Sequence, residues 1–179
     1  MLIPLLVFLA ALLAGLALVV ARQPADFRYA RSVAIAAPPG AVFPHLNDLR
    51  RHAAWQPWVK TECDPTIQRS YTGPESGVGA TYAWRGNAAA GAGRMVVIES
   101  RAGELVRLRE DYEKPLAASC QMEFALAAEG GATRATWTMT GRNSFLMKAI
   151  HLLMRRSIER ELEKGLAALK ALVEGRARA

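Results

Sequence analysis

Glu110 is the residue whose type and setting most favour chemistry, because it lies between Leu108 and Tyr112 on a predicted β-strand. Alternate residues of a strand face the same side, so these three side chains share what the pattern predicts to be the inner face. An ionised carboxylate is costly in an apolar interior, and burial raises its pKa. Glu110 is therefore a candidate acid or base. The alternative is a position at the end of the sheet, where the carboxylate reaches water or pairs with an arginine.

Tyr112 and His151 are the other candidates for proton transfer. His151 follows Ile150 in the last predicted helix, where it could bind a ligand hydroxyl or shuttle a proton at a cavity mouth; its alternative is a boundary position on a basic helix. The sequence contains no Ser–His–Asp arrangement, metal triad or nucleotide-binding loop, so we expect neither a metal nor a cofactor. The two cysteines, Cys63 and Cys120, lack metal-ligand spacing and are interpreted as small apolar fillers.

The same alternation on the neighbouring strands predicts a larger set of inward-facing side chains, most of them aromatic or sulfur-containing. Such side chains suit a flat or flexible apolar ligand. The alternative is that they simply fill a core. The predicted cavity lining is Trp55, Trp58, Tyr71, Tyr82, Trp84, Met95, Leu108, Glu110, Tyr112, Met122, Phe124, Trp137, Met139, Met147, His151 and Met154.

The elements that must position these residues are seven strands and three helices, all after the N-terminal apolar run. Short glycine-containing loops between consecutive strands predict antiparallel hairpins. Apolar residues recur every three or four positions in the last helix, 145–173, and Gly165 within it predicts a close approach of helix to sheet. Two short helices, 39–48 and 49–54, precede the hairpins. The predicted strands are 27–36, 67–71, 80–84, 93–99, 105–112, 119–126 and 132–140.

The chain begins with an uninterrupted apolar run from Leu2 to Ala21, long enough at 1.5 Å per residue to span a bilayer. We interpret residues 1–21 as a transmembrane anchor, 22–26 as a linker and 27–179 as one α+β domain. A cleaved signal sequence is the alternative, although no basic residue precedes the run. Arginines follow the run directly, which predicts a cytoplasmic domain; an exported, periplasmic domain is the alternative.

The net charge of the chain is +7, and its C-terminal part is especially basic. From Lys148 to Arg178 there are eight lysines and arginines against four glutamates. A basic domain beside an anionic leaflet gains roughly 1 kcal/mol for each close cation. No nucleic-acid-binding motif accompanies the charge. We therefore expect a membrane and a hydrophobic small molecule or lipid as partners, and no nucleic acid; the oligomeric state stays open.

Several stretches resemble the START-like superfamily, and most closely its polyketide cyclase/dehydrase branch, the SRPBCC proteins. The resemblance covers residues 27–173. It implies a helix-grip fold, in which a seven-stranded antiparallel sheet wraps around a long C-terminal helix and encloses a hydrophobic cavity. The stretches that carry it are Ser32–Phe43, Trp55–Trp58, Tyr71–Pro74 with Gly77–Gly79, Tyr82–Trp84, Gly131–Trp137 and Glu163–Leu166.

Members of that superfamily include lipid carriers, hormone receptors and ring-closing enzymes, so the fold alone does not select a function. Our leading expectation is a membrane-anchored protein that binds a lipid or an aromatic, polyketide-like molecule without converting it. The alternatives are a cyclase or dehydratase that uses Glu110, Tyr112 or His151, and a protein-interaction module that uses the basic last helix with the cavity collapsed.

Overall fold

A single sheet of seven antiparallel strands forms the body of the molecule, in the order β1-β7-β6-β5-β4-β3-β2. The computed structural model describes residues 2–57, 64, 66–88 and 90–175. The helices are α1 (Leu2–Arg22), α2 (Pro39–Asn47), a short 3₁₀ helix (Leu49–Ala54) and α3 (Phe145–Val173). The strands are β1 (Asp26–Ile35), β2 (Gln68–Thr72), β3 (Thr81–Arg85), β4 (Ala92–Arg101), β5 (Leu105–Lys114), β6 (Ala118–Glu129) and β7 (Ala132–Arg142).

The predicted fold class is confirmed: a seven-stranded antiparallel sheet packs against a long C-terminal helix. No predicted strand end moves by more than three residues, and α3 has the predicted bounds. The serine that precedes α3 caps it, since the Ser144 hydroxyl accepts a hydrogen bond from the backbone N–H of Met147. The hairpins predicted from the short loops are all present.

One end of the sheet lies directly after α1, and we call it the α1 end. There β1 begins and β7 ends, because Asp26 pairs with Arg142, and the hairpin between β5 and β6 closes where Tyr112 pairs with Ala118. The helix α3 begins three residues after Arg142. The first half of α3 therefore lies at the α1 end, and its second half reaches the opposite end of the sheet.

The second half of α3 packs directly on the sheet. Leu162, Leu166 and Leu169 are buried there. The close approach predicted at Gly165 is also present: a Cβ added to this glycine would lie 2.7 Å from Cζ3 of Trp137 and 3.0 Å from Cδ of Pro57. Only a residue without a side chain fits between the helix and these rings. Gly165 thus sets the distance between α3 and the sheet.

The first half of α3 contacts α1 instead of a fully formed core. The Lys148 ammonium donates a hydrogen bond to the carbonyl oxygen of Ala21, at 3.3 Å, near the end of α1. In α1 itself, Ile3–Arg22 is long and apolar enough to cross a membrane by length and composition, a test that an N-terminal signal sequence would also pass. Three residues separate α1 from β1.

Candidate functional site

An apolar cavity of about 430 Å³ opens at the α1 end, between the first half of α3 and the ends of β5, β6 and β7. Its volume lies within the range of roughly 300–1,000 Å³ that is usual for small-molecule sites. The side chains that line it are mostly apolar, with few polar groups among them. They include Phe27, Tyr112, Leu116, Cys120, Met139, Met147, Ile150, His151, Met154 and Ile158.

Five of the sixteen predicted lining residues border this cavity: Tyr112, Met139, Met147, His151 and Met154. The prediction missed Phe27, Ile150 and Ile158, although signals for all three exist in the sequence. Ile150 and Ile158 follow the same helical period as Met154, and Phe27 is two residues before Tyr29 on β1. Nothing local in the sequence indicates Leu116, because it belongs to a hairpin turn.

Most of the other predicted lining residues lie in a packed core, away from the apolar cavity. Trp55, Leu108, Met122 and Trp137 are 0% exposed, and Met95, Phe124 and Tyr82 are almost as buried. Their aromatic rings contact one another directly: the centroids of Phe124 and Trp137 are 5.0 Å apart, and Trp55 lies 5.6 Å from each. These side chains support the sheet beneath α2 and do not border the apolar cavity.

Tyr71 and Trp84 occupy a third environment, on the edge strand β2 and its neighbour β3. Both are half-buried, and Tyr82 lies between them, with ring centroids at 5.2 Å from Tyr71 and 5.7 Å from Trp84. Trp84 also contacts Tyr112 edge-on at 5.8 Å, which connects this ladder of rings to the cavity. The remaining predicted residue, Trp58, lies outside the described residues, as does Cys63.

Glu110 is buried immediately behind the cavity wall. It is 2% exposed and pairs across the sheet with Cys120, whose thiol donates to the carboxylate Oε2 at 3.7 Å. Within the described part of the chain, Glu110 forms no salt bridge. Burial raises the pKa of Glu110 to about 7, although hydrogen bonds with Tyr112 and Cys120 oppose the shift. The residue is thus an interior carboxyl group that changes its charge near neutral pH, and its alternative position in water does not occur.

Tyr112 and Cys120 separate Glu110 from the cavity, since both line it. Burial raises the pKa of the Tyr112 hydroxyl and of the Cys120 thiol, and the nearby Glu110 carboxyl adds to both shifts. Both groups therefore stay protonated at neutral pH. Tyr112 can donate a hydrogen bond to a ligand oxygen, whereas a thiol that stays protonated is a poor nucleophile.

His151 lies at the cavity wall nearest to β1. Its Nδ1 is 3.0 Å from the hydroxyl oxygen of Tyr29, and its ring is 4.5 Å from that of Phe27. Burial lowers the pKa of His151, so the imidazole is neutral at physiological pH and can accept or donate one hydrogen bond. Among the described residues, no group of three or more His, Cys, Asp or Glu side chains could hold a metal ion.

An antiparallel sheet closed by a C-terminal helix, with an apolar cavity beside that helix, defines a protein of the helix-grip class. The chain belongs to the family described as "Polyketide cyclase / dehydrase and lipid transport", whose sequence profile matches residues 26–174. The family and the fold together suggest the binding of a hydrophobic ligand. No curated protein is similar enough in sequence to count as a relative.

Solved structures of low sequence identity share the fold. A protein from Chromobacterium violaceum has a TM-score of 0.57 at 18% identity, over 85% of this chain and 99% of its own. The Aha1 dimer from Colwellia psychrerythraea has a TM-score of 0.60 at 15% identity, over 85% and 99%. DynU16, a protein of the dynemicin biosynthetic locus, has a TM-score of 0.55 at 16% identity, over 85% of this chain and 49% of its own. Identities this low show the fold alone.

Proposed function

We propose that the protein is tethered to a membrane and binds a hydrophobic small molecule, either a lipid or an aromatic, polyketide-like compound. The observation that carries the proposal is the position of the apolar cavity, which opens at the α1 end, beside the helix that would enter the bilayer. In this proposal residues 1–21 are the anchor, 22–26 the linker and 27–179 the binding domain.

The outward side of α3 supports the membrane contact. Besides Met154, which lines the cavity, four large apolar side chains are exposed on its first half: Phe145, Leu146, Leu152 and Leu153, the last of them 85% exposed. We call these four residues the apolar face. A helix that is apolar on its outward as well as its inward side belongs in a core or a membrane, and exposed apolar patches mark contact sites. The apolar face lies on the same half of α3 that contacts Ala21.

The side of the membrane follows from the flanking charges. Arg22, Arg28 and Arg31 come shortly after the apolar run. Positive residues stay preferentially on the cytoplasmic side. We therefore infer a single-pass arrangement with the binding domain in the cytoplasm; cleavage of α1 as a signal sequence would instead release an exported domain.

Native mass spectrometry of the full chain, purified in a mild detergent, tests the ligand-binding proposal. We expect a co-purifying apolar molecule, and a rise in melting temperature when extracted lipid is added back. Met147→Asp, which places a charge in the cavity wall, should abolish both effects because an apolar ligand would have to bury that charge away from water, at a large cost in free energy. The matched control is Ala167→Asp, on the exposed side of the same helix. A cavity that stays empty, with no lipid-dependent change in melting, would overturn the proposal.

An acid–base enzyme is the second candidate, and Glu110 is the specific observation in its favour. A carboxyl group with a pKa of about 7 matches the requirement for proton transfer at neutral pH, and Tyr112 links it to the cavity. The chemical identity of a bound aromatic or polycyclic ligand, followed by liquid chromatography and mass spectrometry, separates the two functions. An enzyme would convert the ligand in the wild type and leave it intact in Glu110→Gln; a binding protein would leave it intact in both.

A further inference from the structure

A second, smaller crevice adjoins the apolar cavity. Its volume is about 190 Å³, and it lies between the end of α1, the start of β1 and the first half of α3. The two spaces share three lining residues, Phe27, Asn143 and His151. Phe27 and His151 are in ring contact, so this pair forms the wall between the crevice and the cavity. One elongated ligand could occupy both spaces only by passing these two rings.

The crevice is basic and its lining is more polar than that of the cavity, whose own charged residues are Lys114 and Arg142. Three cationic side chains line it, Arg28, Lys148 and Arg155, against the single carboxylate of Asp26. Arg155 is paired with Glu159 at 3.2 Å. Within the described residues, Arg28 and Lys148 take part in no salt bridge. Two cationic side chains with no carboxylate partner therefore border a crevice that adjoins the apolar cavity.

We propose that the cavity and the basic crevice form one site for an amphiphile, with an acyl-type tail in the cavity and an anionic headgroup, a carboxylate or a phosphate, in the crevice. This inference rests on the proposed function, because it assumes a hydrophobic ligand in the cavity. An anion in the crevice gains charge-assisted hydrogen bonds from Arg28 and Lys148. The Lys148 ammonium is within 3.3 Å of the Ala21 carbonyl, so the crevice lies at the level where a proposed membrane span would leave the bilayer, which is where lipid headgroups lie.

Three probes with the same acyl chain test the inference: a fatty acid, a lysophosphatidate and an uncharged monoacylglycerol. The affinity of the full chain for each is measured in nonionic detergent. We expect the two anionic probes to bind about tenfold or more tightly than the monoacylglycerol, a difference of roughly 1.4 kcal/mol. The double variant Arg28→Gln/Lys148→Gln should lose this preference and keep its affinity for the monoacylglycerol, which also shows that it is folded.

The matched control is Arg134→Gln/Lys164→Gln, which removes the same charge from exposed positions away from the crevice and should keep the preference. Equal affinities for all three probes, or a preference that survives the crevice variant, would overturn the amphiphile site and leave the proposed function standing. Binding of none of the probes would instead count against the proposed function. Inorganic phosphate could also raise the melting temperature of the wild type but not of the crevice variant, without displacing any bound probe. That result would show a site for free anions and overturn the inference.

Discussion

Glu110 combines two properties that rarely occur together in a stable protein: it is buried, and it has no cationic partner among the described residues. Burial raises its pKa from 4.5 to about 7. The folded state therefore holds the proton more tightly than the unfolded chain does. Glu110 leaves stability unaffected below about pH 4.5 and makes the folded state progressively less stable as the pH rises towards 7.

Replacing Glu110 by glutamine should remove this pH dependence, because the amide has nearly the same shape and never ionises. A shift of this size corresponds to about 3 kcal/mol. We expect Glu110→Gln to raise the free energy of unfolding at pH 8 by up to that amount relative to the wild type, with little change at pH 4.5. Urea unfolding of the full chain at both pH values measures it.

The matched control for this substitution is Glu113→Gln, at an exposed position on the same strand, which should leave the pH dependence as in the wild type. If Glu110→Gln changed the free energy of unfolding equally at pH 4.5 and pH 8, the pKa of the carboxyl group would be the same in the folded and unfolded states, which would contradict the raised pKa.

Gly165 provides a second prediction at the scale of one residue. Alanine would gain about 1 kcal/mol in helix propensity, but its Cβ would lie 2.7 Å from the buried ring of Trp137. Overpacking of this kind costs roughly 1–3 kcal/mol, so we expect Gly165→Ala to destabilise the protein by about 1 kcal/mol. Thermal unfolding measures the change. Gly40→Ala is the control, since it adds the same methyl group to α2 with nothing within 4 Å, and it should be neutral or stabilising.

The helix α3 consists of two halves with different surroundings. Its fully buried residues all lie in the second half, from Leu162 to Leu169, whereas the first half has the cavity on one side and the apolar face on the other. Segments with few buried contacts open more easily. The half of α3 that borders the proposed site is thus the half that is least held by the core.

Hydrogen exchange should detect this difference within one helix. We expect amides of residues 145–158 to exchange at least tenfold faster than those of residues 162–169, a difference of about 1.4 kcal/mol in opening free energy. Adding a ligand that occupies the cavity should slow the first half and leave the second unchanged. Uniform exchange along α3, with or without ligand, would mean that the helix opens as one unit and that its first half is held as firmly as its second.

Sequence patterns at the scale of strands and helices predicted the fold closely, because alternation and helical periodicity are local. They did not predict where along each element the cavity would lie. Leu108 and Tyr112 share a face of β5, as predicted, yet Leu108 is fully buried and Tyr112 borders the cavity. Periodicity gives the direction of a side chain. The filling of the space in front of it depends on distant residues, such as Trp55 against Phe124 and the position of α3 set by Gly165.

The whole molecule joins a candidate membrane helix to a domain with an apolar cavity, and its behaviour in cells tests that combination. We expect the full chain to stay in the membrane fraction after alkaline carbonate extraction and to keep the mass of residues 1–179, because a spanning helix inserts almost irreversibly. A chain that starts at Gln23 should bind membranes only weakly, through the apolar face, and leave the membrane fraction in the same alkaline extraction. Recovery of a chain that begins after Ala21 would show a cleaved signal sequence instead.

A reporter fused after Ala179 tests the side of the membrane. The arginines that follow α1 predict activity of a reporter that works in the cytoplasm. Activity only of a reporter that requires export would reverse the inferred orientation without affecting the ligand-binding proposal. Substituting Arg22, Arg28 and Arg31 together by glutamine should weaken the orientation preference, which a mixed population of the two reporters would reveal.

The segment between α1 and β1 is only three residues long, so it can extend over about 10 Å at most. A domain connected by so short a segment stays next to the bilayer, and the hydrogen bond from Lys148 to Ala21 restrains its position further. If the domain is tethered as proposed, the protein could not carry a ligand through water from one membrane to another. Its ligands would have to reach it by lateral diffusion in the same leaflet.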